Sequence, residues 1–146
     1  MASTVDILIV EDTLDDAALL LRALRRHQLA ARVVVAQDGP EALDFLFGTG
    51  AHADRHSDDH PKLILLDLKL PRVAGLEVLR RLKADPSTCP IPVVIFTSSA
   101  QEHDVVDSYH AGANSYVIKP LDWDALAEVV RQIGSYWLGV NRSAAG

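Results

Sequence analysis

The chain has 146 residues, of which 49% are hydrophobic and 23% are charged, a balance typical of one folded domain of ordinary size. Its formal net charge of −6 disfavours non-specific nucleic-acid binding, and no apolar run approaches the roughly 20 residues that a membrane-spanning helix needs. The single cysteine, Cys89, excludes an intramolecular disulfide, so we expect a protein of the reducing cytoplasm.

Short apolar runs alternate with amphipathic stretches along the chain. The first run, residues 5–10, is rich in β-branched residues and almost continuously apolar, which is typical of a strand buried on both faces. In chain order, strands are predicted at residues 5–10, 32–36, 62–67, 92–97 and 115–118. Helices are predicted at residues 14–27, 38–47 with Asp38 as the N-cap, 75–84, 101–111 and 122–137.

This alternation predicts an α/β domain. Five β-α units with short connections imply a parallel sheet with helices on both faces. The polar segment at residues 48–61, rich in His, Asp and Gly, is predicted to be an exposed loop. We expect one domain over residues 1–140, followed by a short polar tail at residues 141–146.

Polar side chains follow four of the predicted strands, where an open α/β sheet binds its ligands. Glu11 and Asp12 end the first strand, Asp67 the third, Thr97 the fourth and Lys119 the fifth. Because the carboxyl ends of parallel strands meet at one edge of the sheet, we expect these side chains to converge.

When three carboxylates lie so close together, they do not all stay ionised unless a cation lies among them. Carboxylate oxygens at an exposed edge favour Mg²⁺, which keeps several waters and needs few protein ligands. A carboxylate, Mg²⁺, a hydroxyl and an ammonium group can together transfer a phosphoryl group onto the carboxylate itself. The residues alone therefore predict a phosphoryl-transfer site.

The sequence also resembles a known family, the receiver domains of two-component response regulators. The similar segments are residues 10–12, 65–71 with Gly75, 97–98 and 112–120. The resemblance implies a flavodoxin-like doubly wound (βα)5 fold whose parallel five-stranded sheet has the order 2-1-3-4-5. It implies a stand-alone cytoplasmic signalling protein, not an enzyme, that accepts a phosphoryl group from a sensor histidine kinase in a phosphorelay.

The same resemblance implies a role for each residue at the predicted edge. Asp67 would be the phosphoacceptor. Asp12, Asp67 and the backbone carbonyl of Lys69 would bind Mg²⁺, with Glu11 acting through a water molecule. Thr97 and Lys119 would contact the phosphoryl group.

Two further expectations concern the last strand. Tyr116 corresponds to the aromatic residue of the family that turns inward when the threonine hydroxyl moves toward the phosphoryl group. The Lys119–Pro120 peptide corresponds to one that is usually cis in the family, and proline is the residue that makes a cis peptide inexpensive.

A narrower resemblance, to the single-domain regulators of bacterial phytochrome histidine kinases, is carried by residues 48–61, 107–116 and 133–138. It implies a homodimer formed through helix 4, strand 5 and helix 5. The last helix supports this, because it has a second apolar stripe that includes Val129 and Tyr136, beyond the stripe needed to cover the sheet. We expect that stripe to contribute to the dimer interface.

Other classes of protein fit less well. Aspartate-nucleophile phosphatases of the haloacid dehalogenase type usually have a second aspartate two residues after the nucleophile, where this chain has Lys69. A flavodoxin would need a Ser/Thr/Gly-rich loop after the first strand, where residues 11–16 are mostly acidic. A scaffolding pseudo-receiver generally lacks part of the acidic set, and DNA binding would need a basic helix.

Overall fold

The strands form one parallel sheet in the order β2-β1-β3-β4-β5, which confirms the predicted topology. The computed structural model describes residues 5–29, 32–54 and 59–144. The strands are β1 (Ile7–Val10), β2 (Val33–Ala36), β3 (Leu63–Leu66), β4 (Val93–Thr97) and β5 (Ser115–Ile118). Four of them begin one or two residues later than predicted.

Five α-helices cover the sheet. They are α1 (Leu14–Arg26), α2 (Gly39–Phe47), α3 (Gly75–Ala84), α4 (Glu102–His110) and α5 (Trp123–Gly134). The predicted N-cap of α2 is confirmed, because the Asp38 carboxylate accepts a hydrogen bond of 2.8 Å from the backbone N–H of Glu41. No helix in the described residues is both long enough and apolar enough to cross a membrane.

The core has two layers, one on each face of the sheet. Alternate residues of β1 point to opposite faces, so that Ile7 and Ile9 pack with α1 and α5 while Leu8 and Val10 pack with α2 and α3. All residues of the three inner strands β1, β3 and β4 are buried, whereas the edge strands β2 and β5 are largely half-buried. The continuous apolar runs of the sequence therefore correspond to strands covered on both sides.

Two chain segments differ from the expectations. The last α-helix ends at Gly134, and a π-helix over Ser135–Val140 follows it. A hydrogen bond of 2.6 Å from the backbone N–H of Asn141 to the Tyr136 carbonyl, five residues back, belongs to this wider turn. The predicted loop contains a short 3₁₀-helix over Gly50–His52, and part of it, residues 55–58, lies outside the described residues.

The end of α1 gives a stability prediction at Gln28, which has a left-handed φ of 52°. The backbone N–H of Leu29 donates to the Leu24 carbonyl over 3.2 Å, which closes the helix at this left-handed residue. We expect Gln28→Gly to raise the free energy of unfolding by about 0.5–1 kcal/mol, because glycine removes the steric cost of this conformation. Urea unfolding measures the change.

Gln132→Gly is the matched control, because Gln132 is exposed and lies inside α5. That substitution should lower the free energy of unfolding by about 0.5–1 kcal/mol. A loss of stability in Gln28→Gly would contradict the interpretation of the helix end.

Candidate functional site

The carboxyl ends of β1, β3, β4 and β5 meet at one edge of the sheet, as predicted. The backbone N–H of Asp67 donates to the Val10 carbonyl over 3.1 Å, so the residue after β3 lies beside the end of β1. The backbone N–H of Lys119 donates to the Thr97 carbonyl over 2.8 Å, which places the end of β5 beside that of β4. The parallel ladder therefore brings residues distant in sequence to one site.

Three carboxylates cluster at this edge. Glu11, Asp12 and Asp67 each offer an oxygen atom, and these atoms lie within 4.8 Å of one another. Glu11 and Asp67 are buried, with 2% and 7% of their surfaces exposed, while Asp12 is exposed to solvent. Two buried carboxylates with one open side make a site that a hydrated divalent cation can enter.

The Lys119 ammonium is the cation that the structure places in the cluster. Its Nζ donates to the carboxylates of Glu11 and Asp67, the second over 3.0 Å, and lies 3.7 Å from an oxygen of Asp16. Burial disfavours the charged amine, but the hydrogen bond to Glu11 and the charge of Asp67 outweigh burial and raise the pKa of Lys119. Asp16, in the first turn of α1, is a contact that the sequence analysis did not predict.

Burial and charge act differently on the two buried carboxylates. Burial raises the pKa of Glu11 to about 7, because it outweighs the hydrogen bond from Lys119, and the charge of Asp67 adds to the effect. Burial also opposes ionisation of Asp67, but the Lys119 ammonium dominates there and lowers the Asp67 pKa below its usual value. Of the two buried carboxylates, Asp67 is therefore the one that ionises more readily.

The Thr97 hydroxyl is a buried polar group at the end of β4. Its Oγ1 has no hydrogen-bond partner among the described residues, and the side chain is fully buried. Its interaction with Asp67 helps to lower the pKa of that carboxylate, although the contact does not have the geometry of a hydrogen bond. A buried hydroxyl without a partner is costly, so the arrangement fits an additional oxygen-rich group at this position.

The loop after Asp67 is held by a close backbone approach. A Cβ atom at Gly75 would lie 2.1 Å from the Asp67 carbonyl oxygen, and the Gly75 N–H donates to the Leu68 carbonyl over 3.0 Å. The backbone N–H of Lys69 donates to Asp67 Oδ1 over 3.2 Å. The sequence identifies Gly75 only as part of a motif, and the close approach to the Asp67 carbonyl explains why a residue without a side chain is needed there.

Tyr116 on β5 is half-buried and directed toward the loop after β4. Its hydroxyl donates a hydrogen bond of 2.9 Å to the carbonyl of Ser99. The Lys119–Pro120 peptide is trans, which corrects the expectation of a cis bond. Trans is the form of lower free energy for an isolated X–Pro peptide, by about 0.5–1 kcal/mol.

The two residues predicted for a dimer interface have different environments. Val129 is half-buried and packs against the core layer beneath α1 and α5. Tyr136 lies in the π-helix, is 48% exposed and makes an edge-to-face contact with Trp137. The second stripe of α5 is therefore only partly available to a partner.

Comparison with known proteins identifies the family of the chain. Residues 7–131 match the response regulator receiver domain. The chain belongs to this family. The resemblance to receiver domains is thereby confirmed, as is the flavodoxin-like fold.

Two relatives match this receiver domain over most of their length. The probable methanogenesis regulatory protein FilR2 of Methanothrix harundinacea is 41% identical over 94% of this chain and 86% of its own. Response regulator Rcp1 of Synechocystis is 37% identical over 90% of this chain and 88% of its own.

Solved structures of phytochrome response regulators share the fold over nearly the whole chain. The phosphorylated cyanobacterial phytochrome response regulator RcpA has a TM-score of 0.88 at 36% identity, covering 95% of this chain and 97% of its own. The Mn²⁺-bound form of Rcp1 has a TM-score of 0.86 at 36% identity, with coverage of 94% and 96%. The bacteriophytochrome response regulator AtBRR has a TM-score of 0.76 at 46% identity, with 94% of each chain covered. The narrower resemblance to phytochrome-associated regulators is confirmed.

Proposed function

We propose that Asp67 is the phosphoacceptor of this receiver domain and takes its phosphoryl group from a phosphohistidine of a sensor histidine kinase. The observation that carries the proposal is the ionised, buried Asp67 carboxylate, which is hydrogen-bonded to Lys119 beside the two acidic side chains at the end of β1. A carboxylate oxygen would attack phosphorus, and the P–N bond would break with its electron pair moving to the imidazole nitrogen. The product is an acyl phosphate on Asp67.

The surrounding groups would stabilise the transferred phosphoryl group. Lys119 offers an ammonium 3.0 Å from Asp67, and the buried Thr97 hydroxyl has no hydrogen-bond partner among the described residues, so it can donate to a phosphoryl oxygen. Mg²⁺, held by Asp12, Asp67 and the Lys69 carbonyl with Glu11 acting through water, would offset negative charge on the phosphoryl oxygens. The hard oxygen donors of the cluster fit this ion.

Labelling of the wild-type protein and of Asp67→Asn tests the assignment. With acetyl phosphate or a phosphorylated kinase as donor, the wild type should take up the label and Asp67→Asn should not, because the amide is not a nucleophile. Asp6→Asn is a matched control, since Asp6 lies at the opposite end of β1. If Asp67→Asn took up the label at the wild-type rate, Asp67 would not be the phosphoacceptor.

Removal of Mg²⁺ and substitution of one of its proposed ligands should both prevent phosphorylation. We expect EDTA to abolish phosphorylation, because the acidic cluster repels an anionic phosphoryl donor unless a cation offsets its charge. Asp12→Ala should lose Mg²⁺ binding and phosphorylation together while the fold remains, because Asp12 is exposed. Isothermal titration with Mg²⁺ and circular dichroism measure the two effects, and full labelling in excess EDTA would contradict them.

The chain would act as a switch and not as a turnover enzyme. Its nucleophile is followed two residues later by Lys69, whose side chain is exposed, and not by the carboxylic acid that an aspartate-nucleophile phosphatase uses. In this switch, phosphorylation of Asp67 draws Thr97 toward the phosphoryl group and favours the inward position of Tyr116. We assign the receiver domain to residues 1–140, with residues 141–146 as a tail, and place the protein in the cytoplasm with its kinase partner.

The similarity to RcpA and AtBRR supports a bacteriophytochrome as the cognate kinase. Phosphotransfer from a panel of purified histidine kinases tests this, and the phytochrome kinase should transfer fastest at equal concentration. Faster transfer from an unrelated kinase would assign the protein to another pathway. No role in nucleic-acid or membrane binding is proposed.

We also propose a homodimer formed through α4, β5 and α5. Three exposed apolar side chains support it on α4 and the edge strand, namely Val106, Tyr109 and Ile118 at 43%, 48% and 48% exposure. With Val129 and Tyr136 on and after α5, they would contribute to an interface of about 1,200–2,000 Å² in total.

Light scattering at micromolar concentration tests the dimer. The wild type should have twice the mass of the monomer, and Val106→Asp with Ile118→Asp should be monomeric, because charges are costly in such an interface. Leu14→Asp is a control on an exposed leucine of α1, which is 66% exposed. If the wild type had the mass of a monomer both with and without phosphorylation, the dimer proposal would be wrong.

A further inference from the structure

A series of hydrogen bonds stabilises the loop that joins β4 to α4. The Tyr116 hydroxyl donates to the carbonyl of Ser99 over 2.9 Å. The Ser99 hydroxyl donates to the Asp104 carboxylate, and the backbone N–H of Gln101 donates to Ser99 Oγ over 3.4 Å. The Ser99 side chain is therefore hydrogen-bonded to Asp104, while the Ser99 carbonyl accepts the hydrogen bond from the Tyr116 hydroxyl.

The position of these hydrogen bonds connects them with the phosphoryl site. Ser99 is 7% exposed and lies two residues after Thr97, the buried hydroxyl beside Asp67. Asp104 is in the first turn of α4, and its side chain is 30% exposed. Asp104 lies outside the acidic cluster, so its hydrogen bond with Ser99 reaches the site through the loop, and its charge also acts on the Tyr116 hydroxyl.

We propose that Asp104 is a positioning residue for the switch. By accepting the hydrogen bond from Ser99 Oγ, it holds the Ser99 carbonyl where the Tyr116 hydroxyl can donate to it, and thereby favours the inward state of Tyr116. The inference rests on the proposed function, because it requires that the position of Tyr116 is coupled to phosphorylation of Asp67.

Thermodynamic linkage gives the direction of the effect. If phosphorylation favours inward Tyr116, then a contact that favours inward Tyr116 also favours phosphorylation, by the same factor at equilibrium. Loss of one hydrogen bond to a charged acceptor corresponds to a change of about tenfold in that equilibrium. The Mg²⁺ affinity should stay unchanged, because Asp104 holds none of the metal ligands.

The test follows Tyr116 and phosphorylation in the same proteins. Tyr109→Phe and Tyr136→Phe leave Tyr116 as the only one of the three tyrosines, so that a ¹³Cζ tyrosine label reports on its hydroxyl. In this background, Ser99→Ala and Asp104→Leu should shift the resonance and lower the phosphorylated fraction at limiting acetyl phosphate. The expected decrease in the equilibrium constant is about tenfold. Asp104→Asn should restore much of both signals, because its amide oxygen still accepts from Ser99.

Two controls separate this role from a general loss of structure. Asp107→Asn changes the same charge at an exposed position of the same helix and should leave both signals unchanged. Ser99→Ala removes the hydroxyl, and with it the contacts with Asp104 and the Gln101 N–H, but keeps the Asp104 side chain, so it tests the contact even if Asp104→Leu unfolds. Mg²⁺ titration should give the same affinity for every variant.

Distinct results overturn the inference and the proposed function. An unchanged Tyr116 resonance in Ser99→Ala, or equal effects of Asp104→Asn and Asp104→Leu, would overturn the role of Asp104 while the parent protein still labels at Asp67. A parent protein that takes no phosphoryl group would overturn the proposed function itself, and with it the coupling on which this inference rests.

Discussion

Lys119→Met should lower the free energy of unfolding by about 3 kcal/mol when no divalent cation is present. The Lys119 ammonium contacts Glu11, Asp67 and Asp16, and only 13% of its side chain is exposed. Methionine has a similar length but no charge, so Glu11 and Asp67 would remain buried beside each other without a compensating cation. Breaking one partner of a buried ion pair is costly for this reason.

Saturating Mg²⁺ should restore much of the lost stability, because the ion offers the carboxylates a replacement positive charge. Urea unfolding of Lys119→Met with and without Mg²⁺ measures this. Lys62→Met is the control, since Lys62 lies 4.0 Å from Asp6 in a partly exposed pair, and it should cost less than about 1 kcal/mol under both conditions. A Lys119→Met protein as stable as the wild type without Mg²⁺ would contradict the electrostatic account of the site.

Gly75→Ala should destabilise the protein by about 3 kcal/mol and lower its Mg²⁺ affinity at least about tenfold. The added methyl group would lie 2.1 Å from the Asp67 carbonyl oxygen and 2.7 Å from Leu68 Cα, so the backbone of the loop has to move. The loop carries Asp67 and the Lys69 carbonyl, and their displacement would disturb the proposed metal site.

Gly139→Ala is the control for this substitution, because within the described parts of the chain a Cβ atom there has no neighbour closer than 4 Å. Chemical denaturation and Mg²⁺ titration of both variants give the comparison, and Gly139→Ala should behave as the wild type in each. If Gly75→Ala matched Gly139→Ala, the close approach of α3 to the end of β3 would not be what positions the loop.

The sequence predicted α3 and β5 with their observed bounds, and it predicted which strands precede the polar residues. The apolar period distinguishes strands from helices, and a residue that follows a buried strand of a parallel sheet must lie at the carboxyl edge. These rules need only local sequence, so the sequence alone predicts the site residues Glu11, Asp12, Asp67, Thr97 and Lys119.

Other features depend on the angles and distances between elements, which no local pattern contains. The end of α5 is an example, because the same apolar stripe is compatible with a continued α-helix and with the π-helix that follows Gly134. The trans Lys119–Pro120 peptide is another, because the sequence motif leaves both isomers accessible within a small free-energy difference.

The sequence by itself determined the alternation of strands and helices, the two-sided core and the set of acidic, hydroxyl and amine groups at one edge, and the strand order followed from the family resemblance. Only the tertiary structure decided which of those groups pair with one another and which of the carboxylates ionises more readily. The hydrogen bond from Lys119 to Glu11 joins residues 108 positions apart, and the contact of Ser99 with Asp104 depends on the path of one loop. The physical reason is that burial sets the cost of each charge and geometry sets its partner, and both arise only when the strands and helices pack together.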